Sequence, residues 1–437
     1  MDILIKGTIV PVTGPEDVIR DGVVAVRDGE IVYVGRLDGL NDFSADKIFG
    51  GAETAVLPGL VNAHTHAAMT LFRSYADDLP LMKWLEEAIW PLENRLKAAD
   101  VYWGTLLACV EMLLGGTTTF ADMYFFMNEV AAAVQESGMR ASLSRGLIGY
   151  GPNAGEALAE SREFILEWHG KAGGRVSCML GPHAPYTCPP EYLKKVAETA
   201  AELGVGVHIH VAETRQETAE IRKQHGCSPV ELLAGCGLLD VQVLAAHCVH
   251  VSPGDIEILA KKGTAVAHNP ESNMKLASGI APVTDLLGAG VTVGLGTDGA
   301  ASNNNLDMLE EMRSAALLQK VAREDSMALP AYTALEMATI GGARALGLGQ
   351  VIGTIETGKR ADLVLVDLRK PHFYPPHDVV AHIVYAARAG DVHTVLVDGK
   401  VVVDAGQVLT VNVETVLDNV RESARGLVGK PKERSLL

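Results

Sequence analysis

Two histidines one residue apart, His64 and His66, close the apolar run Leu57-Pro58-Gly59-Leu60-Val61-Asn62-Ala63. In an extended backbone alternate side chains share a face, so both imidazoles point to one place, which is chelate geometry for a single ion. A second run ends His208-Ile209-His210-Val211-Ala212-Glu213, a third ends Ala245-Ala246-His247, and a fourth ends Gly294-Leu295-Gly296-Thr297-Asp298-Gly299. One histidine at a strand end is most often a hydrogen-bonded polar residue, and a lone His-x-His is a weak signal. Recurrence at four run ends is stronger, because buried imidazoles and carboxylates need partners and one cation supplies them all. His64, His66, His210 and Asp298 are the candidate ligands. Three imidazoles and one carboxylate suit zinc best, with iron and manganese also compatible. An ion held this way activates water near neutral pH, so these residues point to a hydrolase.

Such residues need a frame that gathers run ends. Apolar runs at 56–61, 117–121, 140–147, 176–180, 205–211, 243–246, 264–267 and 291–295 alternate with helical stretches such as 190–202, where Leu193, Val196, Ala197 and Ala200 recur at helical spacing. Eight strand–helix alternations predict an α/β fold, a (β/α)8 TIM-like barrel, whose chemistry sits at the C-terminal strand ends. The fourth run, Arg175 to His183, contains no lysine that could bridge two metals, so one divalent ion is expected. Residues 1 to about 58 read as strands, with Asp28-Gly29 as a hairpin turn, and Asp398-Gly399 repeats the pattern near the far end. A small β-sandwich built from 1–58 and 349–437, around a catalytic barrel at 59–348, follows as the expected organisation.

The 437-residue chain is 48% hydrophobic and 21% charged, ample for a large core. Its formal net charge of −17 argues against a nucleic-acid phosphate backbone as partner. The start, Met-Asp-Ile-Leu-Ile-Lys-Gly, lacks a basic region leading into a long apolar stretch, and no window reaches membrane-spanning length. The six cysteines form no CxxC pair. The expectation is a cytoplasmic chain with free thiols and no membrane partner.

PGLVNAHTH at 58–66, AAHCVH at 245–250, HNPESNMKL at 268–276, GLGTDGAASNN at 294–304 and GTIETGKRADLVLVDL at 353–368 resemble the amidohydrolase superfamily across nearly the whole chain. MTLFRSYADDLPLMKWL at 69–85, PLENRL at 91–96, GMRASLSRGL at 138–147 and GPHAPYTC at 181–188 are similar to its 5-methylthioadenosine/S-adenosylhomocysteine deaminase branch. The resemblance implies hydrolytic deamination at C6 of an adenosine carrying a 5′ thioether. Glu213 would be the general acid/base, His247 would orient the water, and Asp298 would also accept its proton. The family pattern maps Glu93 onto the ribose hydroxyls, His183 onto the purine or ribose, Trp84 onto a wall of the nucleoside pocket and Arg145 onto the 5′ tail. It also implies a homo-oligomer.

One departure bears on the tail. Some members carry a second arginine shortly after the Arg-Gly step, whereas residues 147–155 here contain none; Arg162 lies further on. Asp122 and Tyr124, after the second strand, are placed to line the site, although a strand-end Asp is more often a helix cap or turn residue; His268, Asn269, Ser272 and Asn273 read as shaping the rim. A deaminase of guanine or a pterin would share the metal motifs, so Trp84, Glu93 and Arg145 discriminate. A barrel kept as a non-catalytic scaffold would have lost ligands that are all present here.

Overall fold

The computed structural model describes residues 1–428. Strands β1 (Ile3–Ile9), β2 (Ile19–Arg27), β3 (Glu30–Arg36) and β4 (Lys47–Pro58) come first. Eight more follow: β5 (Leu60–Thr65), β6 (Thr117–Tyr124), β7 (Arg140–Leu147), β8 (Val176–Pro182), β9 (Gly206–Val211), β10 (Val243–His247), β11 (Ala265–His268) and β12 (Val293–Leu295). The chain then returns through β13 (Leu363–Asp367), β14 (Val392–Val397), β15 (Lys400–Asp404) and β16 (Gln407–Val408).

Strands β5 to β12 form one parallel sheet in sequence order, the expected barrel. Helices cover it, and the anticipated helix at 190–202 runs Pro190–Leu203 with Leu193, Val196 and Ala200 buried. The seam between β12 and β5 is joined at its C-terminal end. Asp298 N donates to His64 O at 2.9 Å, Thr65 Oγ1 donates to Asp298 O at 2.9 Å, and Asn62 Oδ1 accepts from Thr297 N at 3.0 Å. Closure of the barrel and placement of the candidate ligands therefore use the same few residues.

The apolar run at 56–61 divides between two sheets. β4 ends at Pro58 and the barrel starts at Leu60, with Gly59 N donating to Asp362 O at 2.8 Å across the junction. Both chain ends build one body, but as a single curled sheet with the order β16-β15-β14-β13-β4-β1-β2-β3 instead of two separate ones. β4 is the link, parallel to β1 and antiparallel to β13. The curl brings the two Asp-Gly turns tip to tip. Gly29 and Gly399, at φ 80° and 71°, approach so closely that a Cβ on Gly399 would lie 2.3 Å from the Gly29 Cα. Inside the curl Ile3, Ile5, Val24, Val56, Leu363 and Leu396 form one buried cluster.

A buried ion cluster fastens this sheet to the barrel. Arg140, opening β7, donates to both carboxylate oxygens of Asp362 at 2.9 and 3.1 Å, and Asp398 lies 3.6 Å away. Residues beyond 349 also cover the barrel itself: in helix Val413–Val428, Val416 is buried against Leu106 and Ala133. No helix among the described residues is long and apolar enough to cross a membrane, and all six cysteines are free thiols.

Candidate active site

The four candidate ligands converge at the C-terminal end of the barrel. His64 Nε2 lies 3.5 Å from Asp298 Oδ1, His66 Nε2 lies 3.3 Å from the same oxygen, and His66 and His210 bring their Nε2 atoms to 3.3 Å. These three separations are near those of neighbouring donors on a tetrahedral ion bound at about 2.0–2.1 Å, and the donor atoms gather in two overlapping groups, His64 with His66 and Asp298, and His64 with His210 and His247. The buried Nε2 of His64 has no hydrogen-bond partner, a costly state that a metal bond would relieve. Burial lowers His64 to about 4 and His210 well below its ordinary value, keeping both rings neutral. Burial would raise the Asp298 carboxyl, but His64 and His66 beside it hold it well below the usual range. The protonation states are those that metal binding requires. The far ring nitrogens are anchored: His66 Nδ1 lies 2.6 Å from Met123 O, His210 Nδ1 2.7 Å from His183 O, and His64 Nδ1 2.7 Å from His208 Nε2.

Around this group the backbone leaves its regular path. Strand alternation turns His208 and His210 inward and would point Glu213 away. Ala212, at φ 50°, breaks the alternation, and Glu213 lines the cavity with its side chain almost buried. His247 and Asp298 also hold left-handed φ values, 73° and 61°. Such conformations in non-glycine residues are costly and persist where surrounding structure fixes them. Glu217 fixes one of them, its carboxylate accepting from Ala212 N at 2.9 Å and Glu213 N at 2.8 Å. Glu213 Oε2 stands 3.9 Å from His247 Nε2, and Ser278 Oγ donates to Glu213 Oε1 at 3.4 Å. Burial raises the Glu213 carboxyl, Asp298 adding to the effect against His247.

These residues open into a cavity of about 520 Å³, a size suited to a small organic ligand. His66, His183, His210, Glu213 and Asp298 lie along it, with Trp84, Leu85, Ile89, Phe126 and Ile148 among its apolar lining. Trp84 and Glu93 belong to an insertion after β5 in which Leu81–Trp84 and Trp90–Glu93 flank a π-helical turn at Leu85–Ile89. π-turns of this kind are frequent at functional sites. Burial raises the Glu93 carboxyl, opposed by the Tyr124 hydroxyl and His66. His183 Nδ1 lies 3.0 Å from Thr187 Oγ1.

Arg145 is placed differently from Trp84, Glu93 and His183. On β7, Ser144 points inward to Asp122 O at 2.7 Å, and Gly146 lines the cavity. Alternation therefore puts Arg145 on the outer face. There it donates to Gly146 O at 3.2 Å and lies 2.5 Å from Glu160 on the covering helix Ala154–Trp168. Arg162 is also engaged outside, with Glu202 at 2.7 and 2.8 Å.

The sequence pattern of the amidohydrolase family matches residues 55–402. The chain belongs to the amidohydrolase family. A 5-methylthioadenosine/S-adenosylhomocysteine deaminase of Pelotomaculum thermopropionicum is 58% identical to it over 431 residues, covering 98% of this chain and 99% of the relative. One from Moorella thermoacetica is 57% identical over 420 residues, covering 96% and 98%. The crystal structure of an adenosine deaminase from Xanthomonas campestris with bound zinc is similar with a TM-score of 0.95 at 39% identity, covering 98% of each chain.

This amidohydrolase also uses residues to which the sequence assigned no such role. His208 backs His64. Ser272 and Asn273, expected at the rim, are buried: Ser272 Oγ donates to Asp298 Oδ2 at 2.7 Å, and Asn273 Oδ1 lies 2.9 Å from His247 Nδ1. The available signal for His208 was its place two residues before His210 on the same face of β9.

Proposed function

We propose that this amidohydrolase deaminates 5′-substituted adenosines at C6 by hydrolysis, converting methylthioadenosine to methylthioinosine and S-adenosylhomocysteine to S-inosylhomocysteine, with adenosine and 5′-deoxyadenosine as further candidates. The observation that carries the reading is the opposition of Glu213 and His247, 3.9 Å apart, beside a metal-ligand group in a cavity whose wall includes Glu93. The donor set fits one divalent ion, zinc best, held by His64, His66, His210 and Asp298. When bound, that ion supplies the Lewis acidity that makes water nucleophilic near neutral pH.

The chain's own groups do the rest. Asp298 accepts a proton from the attacking water, while His247, fixed through Nδ1 by Asn273, orients that water and steadies negative charge on the ring adduct. Glu213, whose carboxyl burial raises, gives its proton to purine N1 and then carries one to the departing amine, so water and adenosine become ammonia and the inosine. Glu93 takes the ribose hydroxyls, His183 the purine or ribose edge, and Trp84 walls the nucleoside. The cavity has room for a ribose as well as a base, which favours an adenosine over guanine or a pterin. Zinc-loaded protein is incubated with methylthioadenosine, S-adenosylhomocysteine, adenosine and guanine, and ammonia release is followed. Release from the adenosines is expected, and release from guanine alone overturns the reading.

A further inference from the structure

We propose that the cavity selects adenosines with an uncharged 5′ substituent, taking a neutral alkylthio tail in preference to the zwitterionic homocysteine tail. This inference rests on the adenosine reading above. With the reacting ring carbon beside Glu213 and His247 and the ribose beside Glu93, the 5′ substituent is left the apolar part of the wall. Leu81, Leu85, Phe125, Phe126 and Ile148 supply that part. Phe126 and Ile148 are 44% and 41% exposed, so wet apolar surface stands ready for an apolar tail to cover. Phe126 is also held at φ 52°, ψ 51°, a conformation an aromatic residue adopts only where its surroundings impose it.

No lysine or arginine lines the cavity among the described residues. Its ionisable groups are the carboxyls of Glu93, Glu213 and Asp298, the phenols of Tyr124 and Tyr186, and imidazoles already directed to the ion group or, for His183, to Thr187. The two arginines that sequence position brings into question are committed elsewhere, Arg145 to Glu160 on the barrel's outer face and Arg162 to Glu202. A carboxylate entering this wall would lose water without gaining a fixed cation. A butylthio group of the same reach would lose nothing of the kind.

The test measures kcat/KM of the zinc-loaded full chain on 5′-methylthioadenosine, 5′-butylthioadenosine and S-adenosylhomocysteine. The butylthio compound is expected within about threefold of the methylthio compound, and S-adenosylhomocysteine about tenfold or more below both, with the deficit in KM. Two variants sharpen the result. Ile148→Arg, which adds a cation at the half-exposed wall, is expected to raise S-adenosylhomocysteine relative to the butylthio substrate by about fivefold or more. Arg145→Gln is expected to leave the ratio between those two substrates unchanged, with methylthioadenosine turnover reporting that it folds. Equal wild-type efficiency on the butylthio compound and S-adenosylhomocysteine overturns the proposal, and so does a selective loss of S-adenosylhomocysteine turnover in Arg145→Gln. No turnover of any of the three overturns the adenosine reading itself and this inference with it.

Discussion

His208 Nε2 lies 2.7 Å from His64 Nδ1, across the ring from the Nε2 that faces Asp298. The neighbouring bonds assign the proton. Ser144 Oγ gives its hydrogen to Asp122 O and accepts from His208 Nδ1 at 3.4 Å, so His208 Nε2 is the acceptor and His64 Nδ1 the donor. The arrangement leaves His64 Nε2 with a lone pair aimed at the ion group. His208→Ala is expected to weaken zinc binding by about 10–100-fold in chelator competition, with His208→Gln recovering part of the loss by keeping an acceptor. Unchanged affinity in both variants would remove this role.

Glu213 bonds to Ser278 and faces His247, and it lines the same cavity as His66, His210 and Asp298. Glu213→Gln should therefore keep its metal while losing the proton it transfers, with kcat falling by about 10²–10⁴-fold. Metal content and single-turnover rates check both halves, and a wild-type rate would show that another group moves the proton.

Arg140 and Asp362 are both buried where the curled sheet meets the barrel. Removing one partner strands the other, and Asp362→Ala is expected to cost about 3–5 kcal/mol in urea unfolding. The lower end is favoured because Asp398, 3.6 Å from the guanidinium, remains. A loss within experimental error would mean the ion cluster is incidental to stability.

Burial raises the Glu217 carboxyl to about 7 from an ordinary 4.5, against the two backbone N–H groups that favour its charge. Below pH about 4.5 both folded and unfolded chains hold this proton and the group is silent. From about 4.5 to 7 only the unfolded chain releases it, so stability falls as pH rises, and above about 7 the full cost, on the order of 3 kcal/mol, is present. Glu217→Gln should flatten that part of the profile, measured as urea midpoints at pH 5 and pH 8. Parallel profiles for variant and wild type would assign the slope to other groups.

The barrel was legible because short apolar runs alternate with helical spacing along the sequence, and the ligand histidines because strand alternation puts His64 with His66 on one face. The boundary at Pro58-Gly59 was not, since one apolar run serves two sheets and only the bond from Gly59 N to Asp362 O marks the change. Arg145 shows the other limit. Its motif suggested a tail contact, while inward-facing Ser144 and cavity-lining Gly146 put its own side chain outside. Ser272 and Asn273 were misread because a helix start, Pro270–Lys275, reads as surface until the strand it follows is known to point at the site.

The single sheet made from both chain ends has a consequence for synthesis. β1, β2 and β4 emerge from the ribosome with Ile3, Ile5, Val24 and Val56 uncovered, and their partners Leu363 and Leu396 lie roughly 300 residues downstream. At about 5–20 residues per second the wait is on the order of 15–60 seconds. Through that interval the nascent chain presents an unfinished apolar edge, the kind of surface that holding chaperones cover, until the strands that carry Leu363 and Leu396 arrive to close it.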